Sequence, residues 1–308
     1  MRIIILGAGV QGTFYGGRFA QAGHDVTIVA RGRRAIELRE RGAVIENAFT
    51  GQTETIQLPI AERLAPGTSA DLCLVAIRRE QMTEALRDLL ATPAIKRIVF
   101  MVNHANGSEE IFRSLGRARV VLAFPGVAGS LEEGVDRCSE IREQPTAVEA
   151  SAVDVISLLQ GAGFKVARVA DMDGWLRRHA VFVTSIAGAL YEAGGNARRL
   201  AESQAGVITF IRAVREGWSA LDRRGIEPAP LALRAIFCWV PLRYAVNYWR
   251  RLLMSARGDI YFARHVRHAP AEMAALSADV RDLMDEVSKP NLDRLYSAID
   301  LAAAERNL

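Results

Sequence analysis

The feature that most constrains this chain is its first dozen residues, Met1-Arg2-Ile3-Ile4-Ile5-Leu6-Gly7-Ala8-Gly9-Val10-Gln11-Gly12. Ile3 to Leu6 is wholly apolar, which suits a strand buried on both faces of a parallel sheet. It breaks into Gly7-x-Gly9-x-x-Gly12, and a helical pattern follows through Ala22. A strand, a glycine turn and a helix in that order suit a pyrophosphate. The first glycine makes the tight turn, the second lets backbone approach the phosphates, and the third lets helix and strand pack closely. The helix start then offers unpaired N–H groups and the positive end of its dipole. Gly7, Ala8, Gly9, Val10, Gln11 and Gly12 are therefore read as the phosphate-binding turn of a dinucleotide domain.

The end of the second strand refines the coenzyme. An NAD site wants a carboxylate there for the ribose 2′-hydroxyl. The sequence is Ala30-Arg31-Gly32-Arg33-Arg34, with no acid before Glu37. An arginine at this place suits a 2′-phosphate, so the reading is NADP(H). The competing reading is a solvated helix start in an arginine-rich chain. Arginine carries nearly all the positive charge, since the only lysines are Lys96, Lys165 and Lys289.

Further apolar runs at Asp71–Ile77, Ile98–Val102, Val120–Phe124 and Phe164–Val169 read as strands, and Val44 to Leu58 as a hairpin or edge strand. Thr146 to Gly161 reads as a helix. The fold class is α/β, a doubly wound, mostly parallel sheet of Rossmann type. In such sheets ligands sit beyond the carboxyl ends of the strands. Arg78, Asn103 and His104 follow strand ends and are assigned to the coenzyme's surroundings. From Asp171 the pattern turns helical, with segments at 173–193, 203–224, 230–257, 270–288 and 290–304. The division expected is a coenzyme domain over 1–170 and a helical substrate and dimerisation domain over 171–308, with substrate in the cleft between them.

Composition narrows the classes. At 308 residues, half of them hydrophobic and with net charge +4, the chain can bury a large core. No basic run interleaved with aromatics points to nucleic acid. Cys73, Cys138 and Cys238 form neither a disulfide framework nor a metal site. The opening apolar run is too short for a signal peptide and Ala180 to Tyr191 too short to span a bilayer. A cytoplasmic protein without membrane partners is expected.

Beyond the glycine turn and Arg31, several stretches resemble the ketopantoate reductase (2-dehydropantoate 2-reductase) family. They are Val75-Ala76-Ile77-Arg78-Arg79-Glu80-Gln81, Asn106-Gly107-Ser108-Glu109-Glu110, Ala162-Gly163-Phe164-Lys165-Val166, Trp175-Leu176-Arg177-Arg178, Ser255-Ala256-Arg257-Gly258-Asp259 and Lys289-Pro290-Asn291. The resemblance implies a Rossmann-type domain, a helical domain, NADPH and reduction of a 2-oxo acid, with a link to pantothenate biosynthesis. It also implies substrate contacts at Ser255 and Asp259, and a homodimer through the helical domain suits proteins of this kind.

The catalytic helix departs from that pattern. The family's lysine, which helps protonate the carbonyl oxygen, aligns with Arg178, and its two asparagines with Phe182 and Ile186. A shift of one residue gives Arg177, Val181 and Ser185, still without asparagine. An arginine stays protonated, so it polarises a carbonyl well and donates a proton poorly. His104 is the first candidate donor, His179 the second and Tyr191 a remote third. Phe182 and Ile186 are expected to line the substrate site and to favour a more apolar substrate. Glu272 stands near the family's acidic ligand but at a longer spacing, and takes no role here. The function expected is NADPH-dependent reduction of a small 2-oxo acid or related carbonyl. Two alternatives stay open: coenzyme binding without turnover, as in a sensor or scaffold, and reduction of an imine or larger ketone.

Overall fold

The computed structural model describes residues 1–106, 108–226, 231–284 and 286–305. Gly107 of the asparagine-glycine stretch and Pro230, the expected start of a helix, lie outside the described residues. The chain divides into two compact units, Met1–Val102 with Gly107–Met172, and Asn103–Asn106 with Asp173–Leu308.

The first unit is built on β1 (Arg2–Leu6), followed by α1 (Val10–Gln21), β2 (Asp25–Val29), α2 (Gly32–Arg41), β3 (Ala43–Asn47), β4 (Thr53–Ile56) and β5 (Ile60–Ala61). Then come β6 (Ala70–Val75), α3 (Met82–Leu90), β7 (Ile95–Phe100), α4 (Ser108–Leu115), β8 (Val120–Phe124), β9 (Val127–Glu132), β10 (Val135–Glu140), β11 (Thr146–Glu149), α5 (Val153–Gly161) and β12 (Val166–Val169). The main sheet has the order β12-β11-β8-β7-β6-β1-β2-β5. All its pairings are parallel except β8 with β11. Connections run outward in both directions from β1, which creates a switch point where carboxyl ends of neighbouring strands open a crevice. The strands carry apolar runs where both faces are covered: Ile3, Ile5, Ile28, Cys73, Ile98 and Val148 are fully buried.

Two features escaped the sequence pattern. Thr146 to Glu149 is a strand, and the helix begins only at Val153. All four strand residues are buried between β8 and β12, so pairing on both sides overrides a locally helical pattern. The hairpin of β9 and β10 joins β3 and β4 in a second sheet of order β4-β3-β10-β9. Its turn at Glu133-Gly134 needs positive φ at both residues, and its polar, half-buried strands lack a clean period.

The second unit is helical: α6 (Met172–Glu192), α7 (Ala197–Glu202), α8 (Gln204–Arg223), α9 (Leu231–Arg234), α10 (Leu242–Met254), α11 (Ala256–Gly258), α12 (Arg264–His268), α13 (Pro270–Asp282) and α14 (Pro290–Glu305). Single π-helical turns lie at Ala235–Trp239 and Asp259–Ala263, and the helix expected over 230–257 with an interruption near Pro241 is broken there, α10 starting after Pro241. The aromatics near α10 divide. Phe237 and Trp249 are core, whereas Trp239, Tyr244 and Tyr248 are exposed. The buried stripe of α10 is Ala245, Val246, Trp249 and Leu253, and both tyrosines fall off it.

Close helix approach in this unit depends on Gly188, where an added Cβ would lie 2.4 Å from the Leu295 carbonyl oxygen on α14. Gly188→Ala must push α6 and α14 apart. It is expected to cost roughly 1–3 kcal/mol of stability, read from the midpoint of denaturant unfolding.

Candidate functional site

The glycine turn has the geometry the sequence requires of it. Gly7 sits at φ +111°, and a Cβ there would lie 2.3 Å from the Ala76 carbonyl oxygen just after β6. A Cβ on Gly12 would lie 1.9 Å from the Gly7 carbonyl oxygen. These two glycines are fixed by backbone packing. Gly9 differs, because nothing lies within 4 Å of the place its Cβ would take. It caps α1 with no side-chain hydrogen bond, and the first turn of α1 holds no acidic residue. That leaves an open cradle before a 12-residue helix, with N–H groups and a positive dipole end directed into it. The residues present fit the phosphates of a dinucleotide.

The three arginines after β2 have separate tasks. Arg31 is half-exposed, and its Nη1 lies 2.5 Å from Glu84 Oε1 and its Nη2 3.4 Å from Asp88 Oδ2, both on α3. Arg33 turns along its own helix to Glu37 at 2.6 Å. Arg34 is partly buried. It donates to the Ala8 carbonyl in the glycine turn at 3.0 Å, to the Gly134 carbonyl at 3.0 Å and to Asp136 Oδ2 at 2.6 Å. A further bond reaches Thr13 Oγ1 on α1 at 3.3 Å. Asp136 is fully buried on β10, and burial pushes its carboxyl up to about 6 against the pull of Arg34. This network ties the glycine turn to the second sheet. It was not read from the sequence, because Asp136 lies a hundred residues away in an unrecognised strand.

At the end of β6, Arg78 is exposed, and its backbone N–H donates to Gln81 Oε1 at 3.1 Å in the turn leading into α3. Beyond β7 the chain enters the second unit at Asn103. Asn103 Nδ2 donates to Glu272 Oε1 on α13 at 3.1 Å. His265 Nε2 on α12 stands 3.7 Å from the same oxygen. His104 is buried, and Ala105 joins the helical unit's core. Glu272, to which the sequence reading gave no role, is thus the residue that gathers Asn103 and His265.

The α6 candidates sit differently from their expected roles. Arg178 is almost fully buried. It donates to Asp222 Oδ1 at 2.6 Å and to the carbonyls of Trp218 at 3.2 Å and Ile226 at 2.5 Å. Its fork of donors thus closes the end of α8, which is a structural task rather than that of a substrate clamp. Arg177 pairs with Asp173 at 2.5 Å. His179 is buried and stacked on Trp175, with ring centroids 4.8 Å apart, and desolvation pushes its imidazole down to about 3. It is neutral near pH 7 and a poor proton donor there. Phe182 and Ile186 are core residues, and Phe182 packs against Phe210, Phe237, Trp249 and Phe262. They do not form a polar or open substrate face, because this turn of α6 points into the aromatic cluster. Tyr191 donates to the Val266 carbonyl at 2.8 Å. Ser255 donates to the Leu252 carbonyl at 2.6 Å. Asp259 bridges Arg264 at 2.9 Å and Arg267 at 3.0 Å. Burial pushes the Asp259 carboxyl up, but the two guanidiniums outweigh it and hold it below the usual carboxylate range. No group of three or more histidine, cysteine or acidic residues among the described residues is arranged to hold a metal. No helix among them is long and apolar enough to cross a membrane.

A doubly wound sheet opening on this cradle defines the chain as a dinucleotide-binding protein of Rossmann type. Residues 3–135 match the sequence model of the ketopantoate reductase PanE/ApbA family. The 2-dehydropantoate 2-reductase of Pyrococcus horikoshii is 26% identical over 239 residues, which is 74% of this chain and 75% of that protein. Among solved structures, a PanE/ApbA family ketopantoate reductase from Ralstonia eutropha JMP134 superposes with a TM-score of 0.74 at 18% identity, over the full length of both chains. D-mandelate dehydrogenase, solved with NADH and anilino(oxo)acetate, superposes with a TM-score of 0.72 at 15% identity, also over both full lengths. The chain is thus similar to ketopantoate reductases, in sequence over its first 135 residues and in fold over its whole length, and this likeness supports a nicotinamide-dependent oxidoreductase.

Two outcomes follow from these environments. Asp136→Ala removes the nearer counter-charge of the partly buried Arg34, which keeps Glu37 at 3.7 Å, and a loss of about 1–3 kcal/mol is expected in denaturant unfolding. His179 has its folded pKa below its unfolded value of about 6.5, so the unfolded chain binds the extra proton as pH falls. Stability is therefore lost on acidification below about 6.5 and is fully present above it. In His179→Phe the change in melting temperature between pH 4 and 7 should be smaller than in the wild type.

Proposed function

We propose that the chain reduces a small 2-oxo acid or related carbonyl compound with NADPH. The observation that carries this reading is the open cradle at Gly9, before an acid-free helix start and with Arg31 at the end of β2. Gly7 to Gly12 would hold the pyrophosphate by backbone N–H groups. Arg31 would face the 2′-phosphate, with Arg78 at the neighbouring strand end. When bound, the nicotinamide supplies the hydride.

The proton and the substrate's polar contacts fall to Asn103, Glu272 and His265. Asn103 bonds Glu272, which fixes the carboxylate and leaves its second oxygen for a substrate hydroxyl or a water. His265 stands beside that carboxylate and is the candidate partner in the proton transfer. His104 remains a second candidate donor by its place next to Asn103. Arg178 and His179 are better accounted for as packing residues. Pairing of two copies through the helical unit belongs to the same reading and is supported by the exposed Trp239, Tyr244 and Tyr248.

One observation favours a second reading, coenzyme binding without turnover. The position of the family's lysine is filled by an arginine already engaged with Asp222 and two carbonyls. Titration with NADPH and NADH, followed by a screen of 2-oxo acids including ketopantoate and phenylglyoxylate, separates the two. Loss of nicotinamide absorbance with any member supports reduction, whereas tight binding with no turnover supports the second. If reduction occurs, Glu272→Gln and His265→Gln should each lower kcat/KM roughly a hundredfold. Coenzyme affinity should stay within a factor of about two.

A further inference from the structure

Arg31 is not an isolated cation. Glu84 and Asp88 stand four residues apart on one face of α3, and both reach its guanidinium, at 2.5 Å and 3.4 Å. The other arginines of the Arg31–Arg34 cluster pair elsewhere: Arg33 pairs with Glu37, and the partly buried Arg34 pairs with Asp136 and Glu37. The three-residue group carries one positive and two negative charges. A guanidinium presents one planar fork to a phosphate or carboxylate. Two carboxylates on that fork occupy the donors a 2′-phosphate would take, and their excess charge repels it.

We propose that Glu84 and Asp88 compete with the coenzyme's 2′-phosphate for Arg31, and so set how strongly the protein distinguishes NADPH from NADH. This rests on the assignment of Arg31 to the coenzyme's ribose. NADPH must displace the carboxylates from Arg31, whereas NADH leaves the ion pairs intact. The acid pair therefore narrows the preference that Arg31 creates, and a chain with a basic signature at β2 can accept both coenzymes. All three side chains are at least a quarter exposed, so the effect is moderate and weakens with added salt.

The test is calorimetric binding of NADPH, NADH and the fragments adenosine 2′,5′-bisphosphate and adenosine 5′-monophosphate. The proteins are wild type, Glu84→Gln/Asp88→Asn and Arg31→Gln. The double variant should bind NADPH and the bisphosphate about three- to tenfold more tightly, with NADH and the monophosphate unchanged within twofold. The gain should shrink between 50 mM and 500 mM salt. Equal changes for phosphorylated and unphosphorylated ligands, or none, would overturn the competition while leaving the coenzyme site intact. Binding of neither coenzyme to the wild type would overturn the underlying assignment. Arg31→Gln with an unaltered NADPH to NADH ratio would remove Arg31 from the ribose. Thermal melts without ligand identify any variant that has failed to fold.

Discussion

The fold depends on one close approach of backbone to backbone. β1 and β6 are adjacent parallel strands, and where they end the Gly7 Cα meets the Ala76 carbonyl at a distance no side chain permits. Gly12 then closes on the Gly7 carbonyl. These contacts aim α1 so that its first N–H groups stand beyond the sheet's carboxyl edge. The same demand that excludes a Cβ at Gly7 and Gly12 leaves Gly9 open, since a phosphate needs the space that a side chain would fill. The turn is closely packed at Gly7 and Gly12 and open at Gly9.

That arrangement was legible because it is local. The glycine spacing, the apolar run before it and the basic end of β2 lie within 34 residues, where sequence distance and spatial distance agree. What the sequence hid was contact at long range. Asp136 anchors Arg34 and the turn from a hairpin with no clean period. Thr146 to Glu149 is a strand only because β8 and β12 flank it. Glu272 meets Asn103 across 169 positions, after a π-helical turn that no residue pattern announces. In each case partners supplied by distant segments outweigh local preference.

The arginines explain why Arg178 on α6 has contacts other than those the resemblance implies. A lysine and an arginine at one aligned position invite the same role, but a buried guanidinium has five donors to satisfy. Arg178 meets that demand with Asp222 and the carbonyls at the end of α8, which an ammonium's compact charge would match poorly. The indole N–H of Trp218 returns a bond to the Arg178 carbonyl at 3.0 Å, so the contact is reciprocal.

The late match at Lys289-Pro290-Asn291 shows the same distinction in a residue that did align. Pro290 opens α14, and the Glu216 carboxylate on α8 accepts the backbone N–H groups of Asn291 and Leu292 at 3.0 and 2.9 Å. The Asn291 amide bonds the same carboxylate. An acid drawn from another helix thus caps α14 and meets its positive dipole end. The contact holds α8 and α14 together through backbone donors, and as at Gly7 and Gly12 its demand falls on the backbone rather than on a side chain's chemistry.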